Sequence, residues 1–158
     1  MRLYNKVCLG GTFELLHKGH EKLLDTAFYI ADKVVIGVTS DEFVKELNKA
    51  HKIRSYEVRV NNILKYLRKK GVAHRAIIVK LNDPYGPSIE DPEIEAIVVS
   101  EETLHRAFEV YQIREKRKLP PISIVTVKMV LAKDGRPITT TRILKGEITR
   151  NGEIVKKH

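Results

Sequence analysis

Hydrophobic positions along the chain fall into two alternating kinds of run. Five are short, continuous and rich in β-branched residues: Leu3 to Leu9, Val34 to Val38, Ala76 to Val79, Ala96 to Val99 and Ile122 to Val127. Continuous apolar runs of this length are what a parallel strand buried on both faces requires. Between them, apolar residues recur three and four apart, the spacing of a helix with one buried stripe. Leu23, Leu24, Ala27, Phe28 and Ala31 define a helix from about Gly19 to Ala31. Tyr56, Val60, Ile63, Leu64 and Leu67 define another, opened by a Ser55 cap and ended by Gly71. Leu104, Ala107, Phe108 and Tyr111 mark the buried stripe of a third, capped by Ser100, with Glu101 and Glu102 complementing its dipole. Short helices are predicted over Asp41 to Leu47, capped by Ser40, and from Thr140 to just before Gly146. The connector Asn48 to Arg54 is polar and basic, and Leu81 to Pro87 reads as a rigid turn-rich loop.

Strand and helix in alternation give an α/β fold: a single Rossmann-like domain with a five-stranded parallel sheet and helices on both faces. Residues 1–148 make this domain, and residues 149–158 make a polar C-terminal tail, expected to be mobile beyond a turn at Asn151-Gly152. Ligands of such sheets bind beyond the carboxyl ends of the strands, where the strand order reverses.

Composition narrows the class. The 158 residues suit one domain with a real core, and 42% of them are hydrophobic, yet no apolar stretch approaches membrane-spanning length. The start, Met1-Arg2-Leu3-Tyr4-Asn5-Lys6, is not a signal segment, so the expected compartment is the cytosol, and no membrane partner is expected. Cys8, the single cysteine, has no partner for an internal disulfide and lies in the first strand, where packing is its expected role. Net charge is +9, from 29 basic and 20 acidic residues that are interspersed rather than blocked. That pattern favours small anionic substrates over nucleic acid.

The chemistry concentrates in Gly10-Gly11-Thr12-Phe13-Glu14-Leu15-Leu16-His17-Lys18-Gly19-His20, directly after the first strand. Gly10 and Gly11 let backbone approach a ligand. Thr12 offers a hydroxyl. His17 and His20 sit one helical turn apart at a helix start, so both rings can face one place, where unpaired N–H groups favour anions. The string is neither a Walker phosphate loop nor a dinucleotide fingerprint. A second string, Thr139-Thr140-Thr141-Arg142, places three hydroxyls and a guanidinium at another helix start, groups suited to triphosphate oxygens. Lys49, His51, Lys52 and Arg54 make the connector basic; a flexible lysine there can hold two phosphates together. Asp83-Pro84-Tyr85-Gly86-Pro87 by itself reads as a rigid turn that presents an amphipathic tyrosine.

Gly10-Gly11-Thr12-Phe13 with His17-Lys18-Gly19-His20 resembles the signature of the cytidylyltransferase-like nucleotidyltransferases. Asn82 to Pro87, followed by Ile97-Val98-Val99-Ser100-Glu101-Glu102-Thr103, resembles the archaeal and eukaryotic type of phosphopantetheine adenylyltransferase. The likeness covers roughly Lys6 to Ile148. It implies a HUP-type nucleotidyltransferase fold and transfer of adenylyl from ATP to 4′-phosphopantetheine, giving dephospho-coenzyme A and pyrophosphate. It assigns His17, His20, Lys52 and Thr12 to catalysis. Gly10, Gly11, His17, His20, Arg114 and Thr139 to Arg142 fall on the ATP side. Thr12, Lys49, Lys52, Asp83, Tyr85 and Ser100 fall on the phosphopantetheine side, with Lys52 preferred over Lys49 as the bridge. Arg106 and Arg117 are weaker candidates, expected to face water. Mg²⁺ would arrive with ATP, held chiefly by substrate oxygens and water, since no carboxylate cluster makes a protein cage. The enzyme would act as a monomer or small homo-oligomer.

The last string is similar to the Ile-Ser-Ser-Thr-x-x-Arg motif of adenylyl-transferring members. It departs from that motif in Thr139 and Thr140, and in Leu144 at the arginine position. The alternatives are another nucleotidyltransferase, moving cytidylyl or adenylating nicotinamide or flavin mononucleotide, and a basic RNA-binding module. Class I aminoacyl-tRNA synthetases share the histidine pair, and Lys128-Met129 faintly echoes their second motif, but the chain leaves no room for tRNA-recognition domains. Single-strand binders need stacking aromatics; the chain has no Trp, and its Phe and Tyr fall mostly on predicted core stripes.

Overall fold

The computed structural model describes residues 2–47 and 52–156. Five strands, β1 (Tyr4–Gly11), β2 (Ala31–Thr39), β3 (Ala76–Leu81), β4 (Ala96–Ser100) and β5 (Ser123–Val127), form one sheet in the order β3-β2-β1-β4-β5. Every pairing is parallel. The chain builds outward from β1 to β3 and then returns to β1's other side with β4, so the order reverses between β1 and β4. A crevice opens there at the strands' carboxyl ends.

The period of two along each strand divides the core into two. Val7, Leu9, Val34, Ile36 and Val98 face one side, where they pack against Leu24, Ala27 and Phe28 of α1 (Lys18–Ile30) and Ile63 and Leu67 of α3 (Tyr56–Lys69). Cys8, Val35, Ile97 and Val99 face the other, under Ala107 and Val110 of α4 (Leu104–Lys116). Cys8 is buried, and burial pushes its thiol up to about 12. Two short helices, α2 (Asp41–Glu46) and α5 (Thr140–Leu144), follow β2 and β5 at the carboxyl side. Ser40 and Ser55 cap α2 and α3 as expected, and Gly71, past the end of α3, takes a left-handed φ of 73°. Among the described residues no helix is long and apolar enough to cross a membrane.

Two expectations are corrected. The buried face of α4 is Ala107, Val110 and Arg114, while Phe108 and Tyr111 point outward, Phe108 more than half exposed. The two candidate stripes share Ala107, and the true one carries an arginine that composition alone assigns to solvent. The tail does not trail off at Asn151-Gly152. Gly152 is buried with φ of 83°, its carbonyl accepts from Lys133 N, and Ile154 bridges back to Ile148. A Cβ at Gly152 would come within 2.9 Å of Ala132 and Ile138, so the turn needs glycine to lie flat on the small core of Ala132, Ile138 and Ile148. The carbonyl of Arg150 in turn accepts from Lys18 N at 3.1 Å, so the tail braces the first turn of α1.

Candidate active site

The loop between β1 and α1 is built around its own ring contacts. Phe13 holds a φ of 54°, an uncommon state for an aromatic residue, while its side chain is buried and lies 5.3 Å from the His20 ring. His17 is the N-cap of α1: its Nδ1 accepts from the N–H of Gly19 at 3.0 Å and of His20 at 3.4 Å. An accepting Nδ1 leaves the ring proton on Nε2. Gly19 is required for this cap, because a Cβ there would stand 2.8 Å from His17 Cε1 and push the ring off the helix end. His20 has the opposite tautomer. Its Nδ1 lies 2.8 Å from the carbonyl oxygen of Leu15, which only accepts, so Nδ1 carries the proton and Nε2 presents a lone pair. The two rings stack at 3.9 Å and 21°.

Burial holds both rings neutral. It lowers His17 to about 3, with a further push from neighbouring His20, and lowers His20 to about 4 against the opposing pull of the Leu15 carbonyl. In the unfolded chain both would take up protons near pH ~6.5. The unfolded state therefore binds more protons between those values, so stability is complete above about pH 6.5 and falls as the medium is acidified towards the folded values of about 4 and about 3. Melting of the ligand-free protein should show this acid limb, shallower in His17→Asn, whose amide oxygen keeps the cap but does not titrate. An unchanged limb in that variant would assign it to other groups.

Behind the loop stands a network that sequence reading passed over. Arg59 of α3 is fully buried. Its Nη1 donates to the carbonyls of Thr12 (3.0 Å) and Thr39 (2.8 Å) and to Thr39 Oγ1 (3.1 Å). Its Nε donates to Arg54 O (2.8 Å) and its Nη2 to Asp41 Oδ1 (3.0 Å). Buried Glu14 accepts from Arg54 N at 2.9 Å. One guanidinium thus ties the ends of β1 and β2, the start of α2 and the exit of the basic connector to one another.

Across the crevice, Thr139 caps α5, its Oγ1 accepting from Arg142 N at 3.2 Å. Arg142 turns away from the crevice. Its Nε donates to Glu147 at 3.0 Å, its Nη1 to Pro137 O at 3.0 Å, and its Nη2 pairs with Asp134.

These elements enclose a cavity of about 670 Å³ at the carboxyl end of the sheet. Gly10, Gly11, Thr12, His17, His20, Tyr85, Ser100, Thr139, Thr140 and Thr141 all line it. Its lining includes the histidine pair and the threonine triplet and, from the α4 face of the sheet, Cys8, Val35, Ile97 and Val110 together with Tyr85 and Pro87 of the loop after β3. Four predicted residues do not line it. Lys52, in the connector, is exposed. Asp83 shapes the loop, its Oδ1 accepting from Tyr85 N and Gly86 N, both at 2.8 Å. Arg142 is held by its two carboxylates. Lys49 and His51 lie outside the described residues.

Arg114, the fourth, is not a nucleotide contact. It sits at the far end of α4, fully buried, donating to the carbonyls of Pro120, Ser88, Asp91 and Ile94. Those carbonyls precede β4 and β5, and of the four residues only Ser88 lines the cavity. Arg114→Met should therefore cost on the order of 3 kcal/mol through orphaned carbonyls. Melting should fall by roughly 10 °C, with the Michaelis constant for nucleotide unchanged. A raised nucleotide constant with unaltered melting would restore the ligand role. Arg106, a weaker candidate expected to face water, lines the cavity from the first turn of α4, and so does Lys128, to which sequence reading assigns no role, from the carboxyl end of β5.

A parallel sheet whose order reverses above a glycine turn and two stacked imidazoles defines a nucleotide-handling α/β domain, and the chain belongs to the cytidylyltransferase-like family, whose model matches residues 8–146. Within that family it belongs with the phosphopantetheine adenylyltransferases. It is 46% identical over 155 residues to the phosphopantetheine adenylyltransferase of Methanosarcina mazei, covering 96% of this chain and 98% of that one. It is 46% identical over 156 residues to that of Methanothermobacter thermautotrophicus, covering 99% and 93%. A crystal structure of a protein of unknown function from Archaeoglobus fulgidus superposes with a TM-score of 0.70 at 38% identity, over 77% of this chain and 88% of that one.

Proposed function

We infer that the protein transfers the adenylyl group of ATP to 4′-phosphopantetheine, releasing pyrophosphate and forming dephospho-coenzyme A, a step of coenzyme A biosynthesis. The observation that carries this reading is the mixed lining of one cavity. His17, His20 and the threonine hydroxyls supply polar groups to it, and Cys8, Val35, Ile97 and Val110 supply apolar surface that suits a long amide-bearing arm. Thr12 stands in the same cavity, at the carboxyl end of β1.

An oxygen of the acceptor phosphate attacks the α-phosphorus in line; the new P–O bond forms as the bond to the β-phosphate breaks and pyrophosphate leaves. An ionised phosphate needs no general base, so positioning and charge neutralisation supply the catalysis. His17 donates from Nε2. His20 must carry a second proton to donate from Nε2, because its Nδ1–H is engaged by Leu15. The charge of a bound triphosphate favours that imidazolium. Thr139, Thr140 and Thr141 receive the outer phosphates, and Lys128 adds a cation at the cavity's edge. Lys49 and Lys52 remain the candidates for bridging the two substrates from the connector. Magnesium accompanies ATP, held by its phosphates and water. We place the enzyme in the cytoplasm, as a monomer or small homo-oligomer.

A pyrophosphate-release assay tests the reading. Release is expected with ATP and 4′-phosphopantetheine together, and neither with ATP alone nor with CTP. Release with nicotinamide or flavin mononucleotide, but not with phosphopantetheine, would overturn it.

A further inference from the structure

The cavity wall carries a charged side chain whose hydrogen-bonding capacity is largely unused among the described residues. Arg106, in the first turn of α4, lines the cavity. Its guanidinium stands 5.5 Å from the centre of the Tyr85 ring, and Nη1 donates to Glu109 Oε2 at 3.4 Å, its one hydrogen bond among the described residues. Glu109 Oε2 also accepts from Tyr85 Oη at 2.7 Å. Tyr85 is itself fixed. Its N–H donates to Asp83, and its carbonyl accepts from Ser88 Oγ at 2.6 Å. A relay therefore runs from the loop after β3, through Tyr85 and Glu109, to a guanidinium whose other N–H groups bond no partner among the described residues. Val35, Ile97 and Val110 of the same lining have apolar side chains, and Arg106 is the guanidinium of that lining. A ligand lying against them with a carbonyl in its arm has a charged fork donor in Arg106.

We propose that Arg106 binds an amide carbonyl of the acceptor's arm, and that Glu109 and Tyr85 are positioning residues that hold its guanidinium at the cavity wall. The proposal rests on the adenylyl-transfer reading above and adds the residues that choose the acceptor. A guanidinium–carbonyl hydrogen bond in a partly enclosed site is worth about tenfold in affinity. Glu109 acts only through its neighbours, so its effect should be smaller and should vanish when Arg106 is gone.

Steady-state kinetics on Arg106→Gln, Arg106→Lys, Glu109→Gln and the Arg106→Gln/Glu109→Gln double variant test this. Melting points are taken alongside, since both side chains are partly exposed and the fold should hold. The KM for 4′-phosphopantetheine is expected to rise about tenfold in Arg106→Gln. Smaller rises are expected in Arg106→Lys, which lacks the planar fork, and in Glu109→Gln. The double variant should match Arg106→Gln, and the KM for ATP should stay within about twofold throughout. An acceptor KM unchanged in both arginine variants, with wild-type turnover intact, sinks this assignment alone. A wild type that releases no pyrophosphate with ATP and phosphopantetheine sinks it together with the reading it rests on. Equal rises for ATP and acceptor would also overturn it, because they would mark a general disturbance of the cavity.

Discussion

His20→Ala is expected to lower turnover about 10²–10³-fold, the usual consequence of removing one preorganised donor from a site where charge develops, with the KM for ATP little changed. The prediction follows from the tautomers. His20 Nδ1 is fixed on Leu15 O, so only Nε2 faces the cavity, and a neutral ring offers phosphate a lone pair there rather than a proton. The donor is the imidazolium, which burial suppresses in the empty protein, lowering the group to about 4. The charge of bound nucleotide restores it. Wild-type turnover should therefore persist on the acid side and fall as pH rises through the pKa of the complex. His20→Asn separates the two ends of the ring: its amide N–H can still reach Leu15, but the distal nitrogen is gone, and turnover should fall as far as in the alanine variant. His20→Gln places an amide N–H near the distal position, where it donates without titrating. It should recover part of the loss and lack the alkaline limb. Near-normal turnover in His20→Ala would remove the residue from the reaction.

The local parts of this site are legible in the chain, and the reason is physical. His17, Gly19 and His20 act through a single helical turn, so spacing along the sequence is spacing in space. The glycine's role, clearing room for the His17 ring, needs the coordinates. The five strands are equally legible, because a strand buried on both faces has almost no alternative to an unbroken apolar run. What the sequence hides is tertiary. Arg114 and Arg59 look like other surface or ligand cations until the carbonyls they satisfy are brought together from several elements. In sequence terms, nothing distinguishes a solvated arginine from one that closes a cluster of strand ends. Arg142 misleads in another way: the same fork that suits phosphate suits the carboxylates of Asp134 and Glu147, which hold it. The tail is polar by composition, yet Gly152 and Ile154 fold it onto the domain. Arg106, Glu109 and Tyr85 meet only because α4 starts beside the loop after β3.

Replacing Arg59 should have the largest effect on the scaffold and, unlike Arg114, should reach the chemistry. Arg59→Met preserves much of the volume but strips donors from three carbonyls, the Thr39 hydroxyl and the Asp41 carboxylate. Removing one partner from a buried network of this kind costs about 3–5 kcal/mol. For a chain of this size that is a fall in melting point of roughly 10–15 °C. Both arginines staple strand-end carbonyls, so both variants should melt early. The difference lies in which end of the sheet each holds. Arg114 holds carbonyls that lead into β4 and β5 at the amino-terminal side, and of the residues accepting from its guanidinium only Ser88 belongs to the cavity lining. Arg59 holds Thr12 O, Thr39 O and Arg54 O, the supports of the phosphate loop and of the connector that carries the lysines. Arg59→Met should therefore also lower turnover at temperatures where the protein is still folded, whereas Arg114→Met should not. Arg59→Lys supplies the charge at one point only and should recover the Asp41 pair without the fan of carbonyl bonds, leaving most of both losses in place. A melting point within about 3 °C of wild type in Arg59→Met would mean that water or neighbouring side chains replace those bonds, and that the loop is held by something other than this guanidinium.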